Sequence, residues 1–133
     1  MTVAGAKSPF KCLPPTDSSS EGVNVIIETP KGSRNKFKFD PKCGLFSLGS
    51  VLPAGATFPY DFGYVPGTMA DDGDLLDVLL LMDVPAFTGC HVRTRLIGVI
   101  EATQTDEKGK AERNDRLVTL TRGPGGPTTE GHR

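Results

Sequence analysis

The sequence predicts a mainly-β domain, an antiparallel barrel or sandwich, on three observations. Six or seven short runs rich in β-branched and aromatic residues recur, with turn signals every 8–14 positions. Sixteen Gly and eleven Pro make up about a fifth of the 133 residues, against a usual share of roughly 12%. No helix-period segment of any length is visible. At 133 residues and 14.1 kDa the chain has room for one core.

The elements follow in order. Residues 1–22 contain PP, SSS and EG with hardly any apolar periodicity, the composition of a flexible lead-in. VNVIIET (23–29) and NKFKFD (35–40) flank PKGSR and read as a hairpin with a Gly-containing loop. Lys36, Lys38 and Asp40 alternate with Phe37 and Phe39, the period of a half-buried strand. Further strands are expected at Cys43 to Leu48 and in FPYDFGYV (58–65), each set off by Pro or Gly. DVLLLM (77–82) is a continuous apolar run suited to a strand buried on both faces, HVRTRLIGVIEA (91–102) is a longer strand, and RLVTLT (116–121) closes a folded unit spanning 23–122. GPGGPTTEGHR (123–133) reads as a disordered tail.

Fifteen basic and sixteen acidic residues leave a formal net charge of −1, which gives no general attraction to nucleic acid or anionic lipid. No apolar run approaches the roughly 20 residues that span a bilayer, and the N-terminus lacks a secretory signal pattern, so a cytoplasmic address is expected. Cys12, Cys43 and Cys90 are odd in number and widely spaced, and read as reduced, structurally incidental thiols. His91, beside Cys90 in a strand, reads as a satisfied structural residue, and His132 lies in the tail.

The dense feature is acidic. Asp71, Asp72, Asp74, Asp77 and Asp83 fall within thirteen positions. Carboxylates this close repel unless a cation neutralises them, and an oxygen-only donor set suits a hard divalent ion. An EF-hand pivoting on Gly73 would put Thr68, Ala70 and Leu79 at ligand positions, so that loop is excluded. A turn on Gly73 instead lets Asp72 and Asp74 project to one side, with Asp77 at the mouth of the following strand; a solvated acidic turn is the plainer alternative. Glu28 ends an apolar strand, with Lys36 across the expected hairpin, and Asp106, Glu112, Asp115 and Arg116 fall in a second charged group. Carboxylates combined with Lys and Arg suit metal-assisted phosphoryl chemistry.

These residues carry a resemblance. VIIETPKGSRNKFKFD, FPYDFGYVPGT, DDGDLLDVLLLMD, PAFTGC, RLIGVIEA and NDRLV together resemble the soluble family I inorganic pyrophosphatases, collinearly from about Val23 to Leu120. The resemblance implies an OB-like antiparallel five-stranded barrel with a peripheral hairpin, Mg²⁺-dependent hydrolysis of inorganic pyrophosphate to two orthophosphates, and a cytoplasmic homo-oligomer. It implies Asp72 and Asp77 as metal ligands with Asp77 bridging, Asp74 as the general base, and Glu28 and Lys36 as an active-site carboxylate and a phosphate contact. Asp106 resembles a further metal ligand. In NDR (114–116), Asp115 is favoured over Asn114 as a ligand and Arg116 as the phosphate contact.

The chain also departs from the family pattern. Lys38 stands where members commonly have a second Glu, Ser50 where many have a phosphate-holding Arg, and Leu75 where DGDPxD has Pro. Phe62 takes the place of a phosphate-contacting Tyr and is expected among the substrate contacts, although it cannot donate a hydrogen bond; Tyr60 and Tyr64 are the nearby phenols. Members continue past the RLVTL-like strand through a Tyr-Lys segment and a packing helix, whereas TRGPGGPTTEGHR follows here. The C-terminal helix is therefore expected to be missing and activity reduced or absent. The competing readings are an OB-like nucleotide- or oligonucleotide-binding module and a catalytically dead fragment.

Overall fold

The computed structural model describes residues 14–16, 22–67, 75–105 and 107–122, and every structural statement below concerns those residues. Nine strands form: β1 (Gly22–Thr29), β2 (Asn35–Asp40), β3 (Leu45–Val51), β4 (Asp61–Val65), β5 (Leu76–Leu81), β6 (His91–Ile100), β7 (Thr103–Thr105), β8 (Ala111–Arg113) and β9 (Arg116–Thr121). Five of them close a barrel in the order β1-β4-β5-β9-β6, with β2-β3 and β7-β8 as separate two-stranded ribbons. With the ribbons set aside, the barrel strands run first, second, third, fifth, fourth, an OB-like topology. Each barrel pair is antiparallel except β5–β9, which is parallel. The expected OB-like five-stranded barrel is thus present, and its one parallel pair is what an odd number of strands closing on itself requires. No helix among the described residues is long and apolar enough to cross a membrane.

The wall separates two apolar clusters. Inside the barrel, Val23, Val25, Ile27, Val65, Val78 and Leu80 pack together. Outside it, Ile26 and Tyr64 meet Phe39 of the β2–β3 ribbon, with Phe46 and Leu75 alongside. The Phe39 ring stacks on Tyr64 at 5.1 Å with an interplanar angle of 10°, and Phe46 lies 5.0 Å from Phe39. The alternation in NKFKFD therefore holds: Phe39 is buried, while Lys36 and Lys38 are exposed. β1 is buried along its whole length because the wall is covered on both sides there.

Two sequence expectations are corrected. β1 and β2 share no backbone ladder; the hairpin partner of β2 is β3, with Phe39 opposite Phe46 and Lys38 opposite Ser47. Side chains of β1 take over the β2 edge instead. β5 alternates rather than being buried on both faces: Val78 and Leu80 are fully buried inside, while Asp77, Leu79 and Leu81 remain half-buried outside. Within the expected lead-in, Pro14 and Pro15 accept hydrogen bonds from Asn24, and Thr16 bridges Val23. Cys43 is exposed, Cys90 half-buried, and both are free thiols.

Gly63 is required by the wall itself. A Cβ added there would overlap the Ile26 carbonyl oxygen and meet Val25 Cγ1 at 3.1 Å, so β1 and β4 approach closely only with glycine at this position.

Candidate active site

The candidate site lies on the outer face of the wall, and the register determines who shares it. Ile26 pairs with Tyr64 and Tyr64 with Asp77, giving one row across β1, β4 and β5. Phe62 pairs with Leu79 and Leu79 with Val118, giving the next row. One step before the Val78–Leu117 pair, the same register brings Arg116 beside Asp77. The Arg116 guanidinium then lies over the Phe62 ring, 5.8 Å from its centroid, with Phe58 tilted against the same ring at 6.3 Å. Phe62, which the sequence offered as a substrate contact, is here an aromatic platform for a cation.

Glu28 follows Ile26 onto this face by the strand period, and a β-bulge brings Thr29 there beside it. The register shifts between Ile27 and Thr29, so Glu28 and Thr29 together occupy the space of one regular position. Such an insertion re-aims a side chain. Glu28 is only 6% exposed, and its Oε2 accepts the Phe39 N–H at 2.8 Å. Thr29, fully buried, accepts the Phe37 N–H and donates to the Phe37 carbonyl, both at 3.0 Å. These three bonds dock β2 on β1 without a strand ladder. Thr88 Oγ1 fastens the bulge from the other side by donating to the Glu28 carbonyl at 2.9 Å.

Electrostatics follow from this burial. Desolvation, reinforced by the charge of Asp77, pushes the Glu28 carboxyl up to about 7, against the opposing Phe39 N–H, Lys38 and Lys36. Tyr64 is raised well above the usual phenol range, by burial first and by Glu28 second. Its hydroxyl is buried and has no hydrogen-bond partner among the described residues. A buried acid, a second carboxylate and an orphaned phenol on one face form an environment that an additional polar or cationic ligand would satisfy.

The remaining predicted residues divide. Asp115 is turned away from this row: its carboxylate accepts the Ala102 N–H at 3.2 Å and Arg113 at 2.7 Å. The Arg113 hydrogen bond holds its carboxyl below the usual range. Arg113 also bridges Glu101 at 2.9 Å. Lys36 stands on the exposed side of β2, close enough in charge to act on Glu28. Asp71, Asp72, Asp74 and Asp106 lie outside the described residues. Among those that are described, no three His, Cys, Asp or Glu side chains are grouped to hold a metal ion.

Sequence alone does not single out Thr29 or give Lys38 a role. Thr29 carried a usable signal, a polar residue at the buried end of VNVIIET immediately before the Pro-Lys-Gly turn. His91 Nε2 lies 2.8 Å from Asn24 Oδ1 and so ties β6 to β1.

The sequence pattern of the inorganic pyrophosphatase family matches residues 25–122, which include β4, β5, β6 and β9 and all but the first three residues of β1. The chain belongs to the inorganic pyrophosphatase family. It is 48% identical over 79 residues to the inorganic pyrophosphatase of Synechocystis sp., covering 59% of this chain and 47% of that one. With the inorganic pyrophosphatase of Thermus thermophilus it shares 42% over 100 residues, 75% of this chain and 56% of the relative. The chain thus spans about half the length of these relatives. The crystal structure of the Thermus thermophilus pyrophosphatase superposes with a TM-score of 0.72 at 37% identity, over 84% of this chain and 61% of that one. The Neisseria gonorrhoeae pyrophosphatase gives 0.77 at 32%, over 86% and 63%. The OB-like barrel is therefore the pyrophosphatase fold.

Proposed function

We propose that this chain hydrolyses inorganic pyrophosphate to two orthophosphates with a divalent cation, Mg²⁺, as cofactor. The observation that carries this reading is the shared outer face on which Glu28, Asp77 and Arg116 meet below the lysines of β2. Anionic and cationic groups both line it, as a substrate that brings phosphoryl charge together with metal would require.

The donor chemistry fits a hard cation. Asp77 offers carboxylate oxygens, and the Glu28 acid beside it is already disfavoured from ionising, so further negative charge on this face calls for a positive ion. Asp72, Asp77, Asp106 and Asp115 would hold it, Asp115 by exchanging its Arg113 contact. Bound Mg²⁺ would polarise the phosphoryl oxygens and make the attacking water more acidic.

The chain's own residues would do the rest. Asp74 takes a proton from the attacking water, whose oxygen forms the new P–O bond. The bridging P–O bond breaks and its electron pair leaves with the second phosphate. Lys36 and Arg116 hold phosphoryl oxygens, with Phe62 supporting the Arg116 plane. Glu28 holds β2, and with it Lys36, at its height over the wall. A cytoplasmic address and assembly into a homo-oligomer complete the reading, and sedimentation velocity tests the latter.

Orthophosphate release from pyrophosphate, with and without Mg²⁺, tests the activity. Release should require the metal and should fall by at least about two orders of magnitude in Asp74→Asn. Release unaffected by Asp74→Asn would remove the assigned base. No release from a wild type that melts cooperatively would remove the function.

A further inference from the structure

We propose that Lys38 is a second phosphate-binding lysine, and that with Lys36, Ser47 and Ser50 it makes the exposed face of the β2–β3 ribbon an oxyanion-binding surface for inorganic pyrophosphate. This rests on the pyrophosphatase reading and adds a substrate contact to it.

The strand period places Lys36 and Lys38 on the same face of β2, opposite the buried Phe39. Across the ribbon, Lys36 pairs with Ser50 and Lys38 with Ser47. Cross-strand partners share a face, so two ammonium groups and two hydroxyls are presented together. All four can donate hydrogen bonds to phosphoryl oxygens. Asp40, next along this face, is already engaged by the turn, where its Oδ1 accepts the Lys42 N–H at 2.9 Å.

The position of this face is fixed by the bulge. The Glu28 bond to the Phe39 N–H and the paired Thr29 bonds to Phe37 bracket Lys38 in sequence, so its backbone is anchored on both sides. Both lysines act electrostatically on Glu28, Lys38 more strongly than Lys36. Yet neither forms an ion pair among the described residues. Two neighbouring ammonium groups that repel each other and have no carboxylate bridging them are suited to a multivalent anion that contacts both.

The test compares wild type, Lys38→Met, Lys38→Arg and Lys36→Met. KM for pyrophosphate is measured with Mg²⁺, and binding of inorganic phosphate is measured by calorimetry. Lys38→Met should raise KM and weaken phosphate binding by about tenfold while kcat changes by less than about threefold, and Lys38→Arg should restore most of the affinity. The melting midpoint should be unchanged, since Lys38 is exposed. A Lys38→Met protein within twofold of wild type in both KM and phosphate binding, when Lys36→Met is weakened, would overturn the role of Lys38 and leave the pyrophosphatase reading intact. If the wild type hydrolyses no pyrophosphate, that reading fails. The phosphate-binding arm then decides the oxyanion surface on its own: wild type binding phosphate and Lys38→Met losing it supports the surface, while equal or absent binding removes it.

Discussion

Replacing Thr29 by Val isolates the contact by which β1 holds the β2–β3 ribbon. Val matches Thr in shape and suits a strand at least as well, so the backbone is not the variable. What disappears is the hydroxyl, and with it both 3.0 Å bonds to Phe37. Each is worth about 1 kcal/mol net, and the Phe37 N–H and carbonyl are left with partial access to water because Phe37 is half-buried. The expected loss is about 2 kcal/mol, or roughly 10 °C in melting midpoint for a domain of this size. Thr29→Ser keeps the hydroxyl and removes one methyl from a fully buried site, for about 1 kcal/mol. Urea and thermal unfolding give the energies, and hydrogen exchange reads the Phe37 amide, which should lose protection in Val but keep it in Ser. A Thr29→Val protein within about 0.5 kcal/mol of wild type would refute the clamp. So would Thr29→Ser proving as costly as Val.

Two further predictions concern the wall. Because Glu28 is raised from 4.5 to about 7, its contribution to stability is fully present below pH 4.5, declines as pH rises through 7 and is flat above that. In metal-free buffer the stability difference between wild type and Glu28→Gln should therefore shift against wild type by roughly 3 kcal/mol across that window, and parallel pH profiles would contradict it. Gly63→Ala should cost about 3 kcal/mol or more, or yield insoluble protein, because its methyl meets the Ile26 backbone rather than a side chain that can move; a soluble variant with wild-type melting would show that β1 and β4 can separate.

The sequence disclosed some features and concealed others for identifiable reasons. Strand identities were legible because Phe37 and Phe39 alternate with lysines and because RLVTLT is bounded by charge and Gly. Strand partners were not. The short PKGSR connection suggested that β1 and β2 pair, but β1 already has β4 on one edge and β6 on the other, and a barrel strand has no third edge. The β7–β8 ribbon was hidden because it straddles the start of TDEKGKAERNDR, whose charge masks the short pairing of Thr103–Thr105 with Ala111–Arg113. Asp77, Arg116 and Glu28 were recognisable as chemistry-bearing residues. That Asp115 would turn to Arg113 was not, since it lies in the two-residue connection between β8 and β9, where no strand period says which way a side chain faces.

The bulge at Glu28 couples the hold on β2 to the face that β2 presents. A regular β1 would carry one residue, not two, between Ile27 and the end of the strand, and either Glu28 or Thr29 would lose its place against β2. With the extra residue, two consecutive side chains reach the same neighbouring strand: Thr29 holds Phe37 and Glu28 holds Phe39. That spacing of two along β2 leaves Lys36 and Lys38 on the free face, so the residues that order the ribbon and those that meet an anion are separated by the pleat. The burial needed for the first task raises the proton affinity of Glu28 and weakens its hold on the lysine charges. A carboxylate at the same place on a regular, solvated strand would instead neutralise those lysines, and the ribbon would offer little to a phosphate.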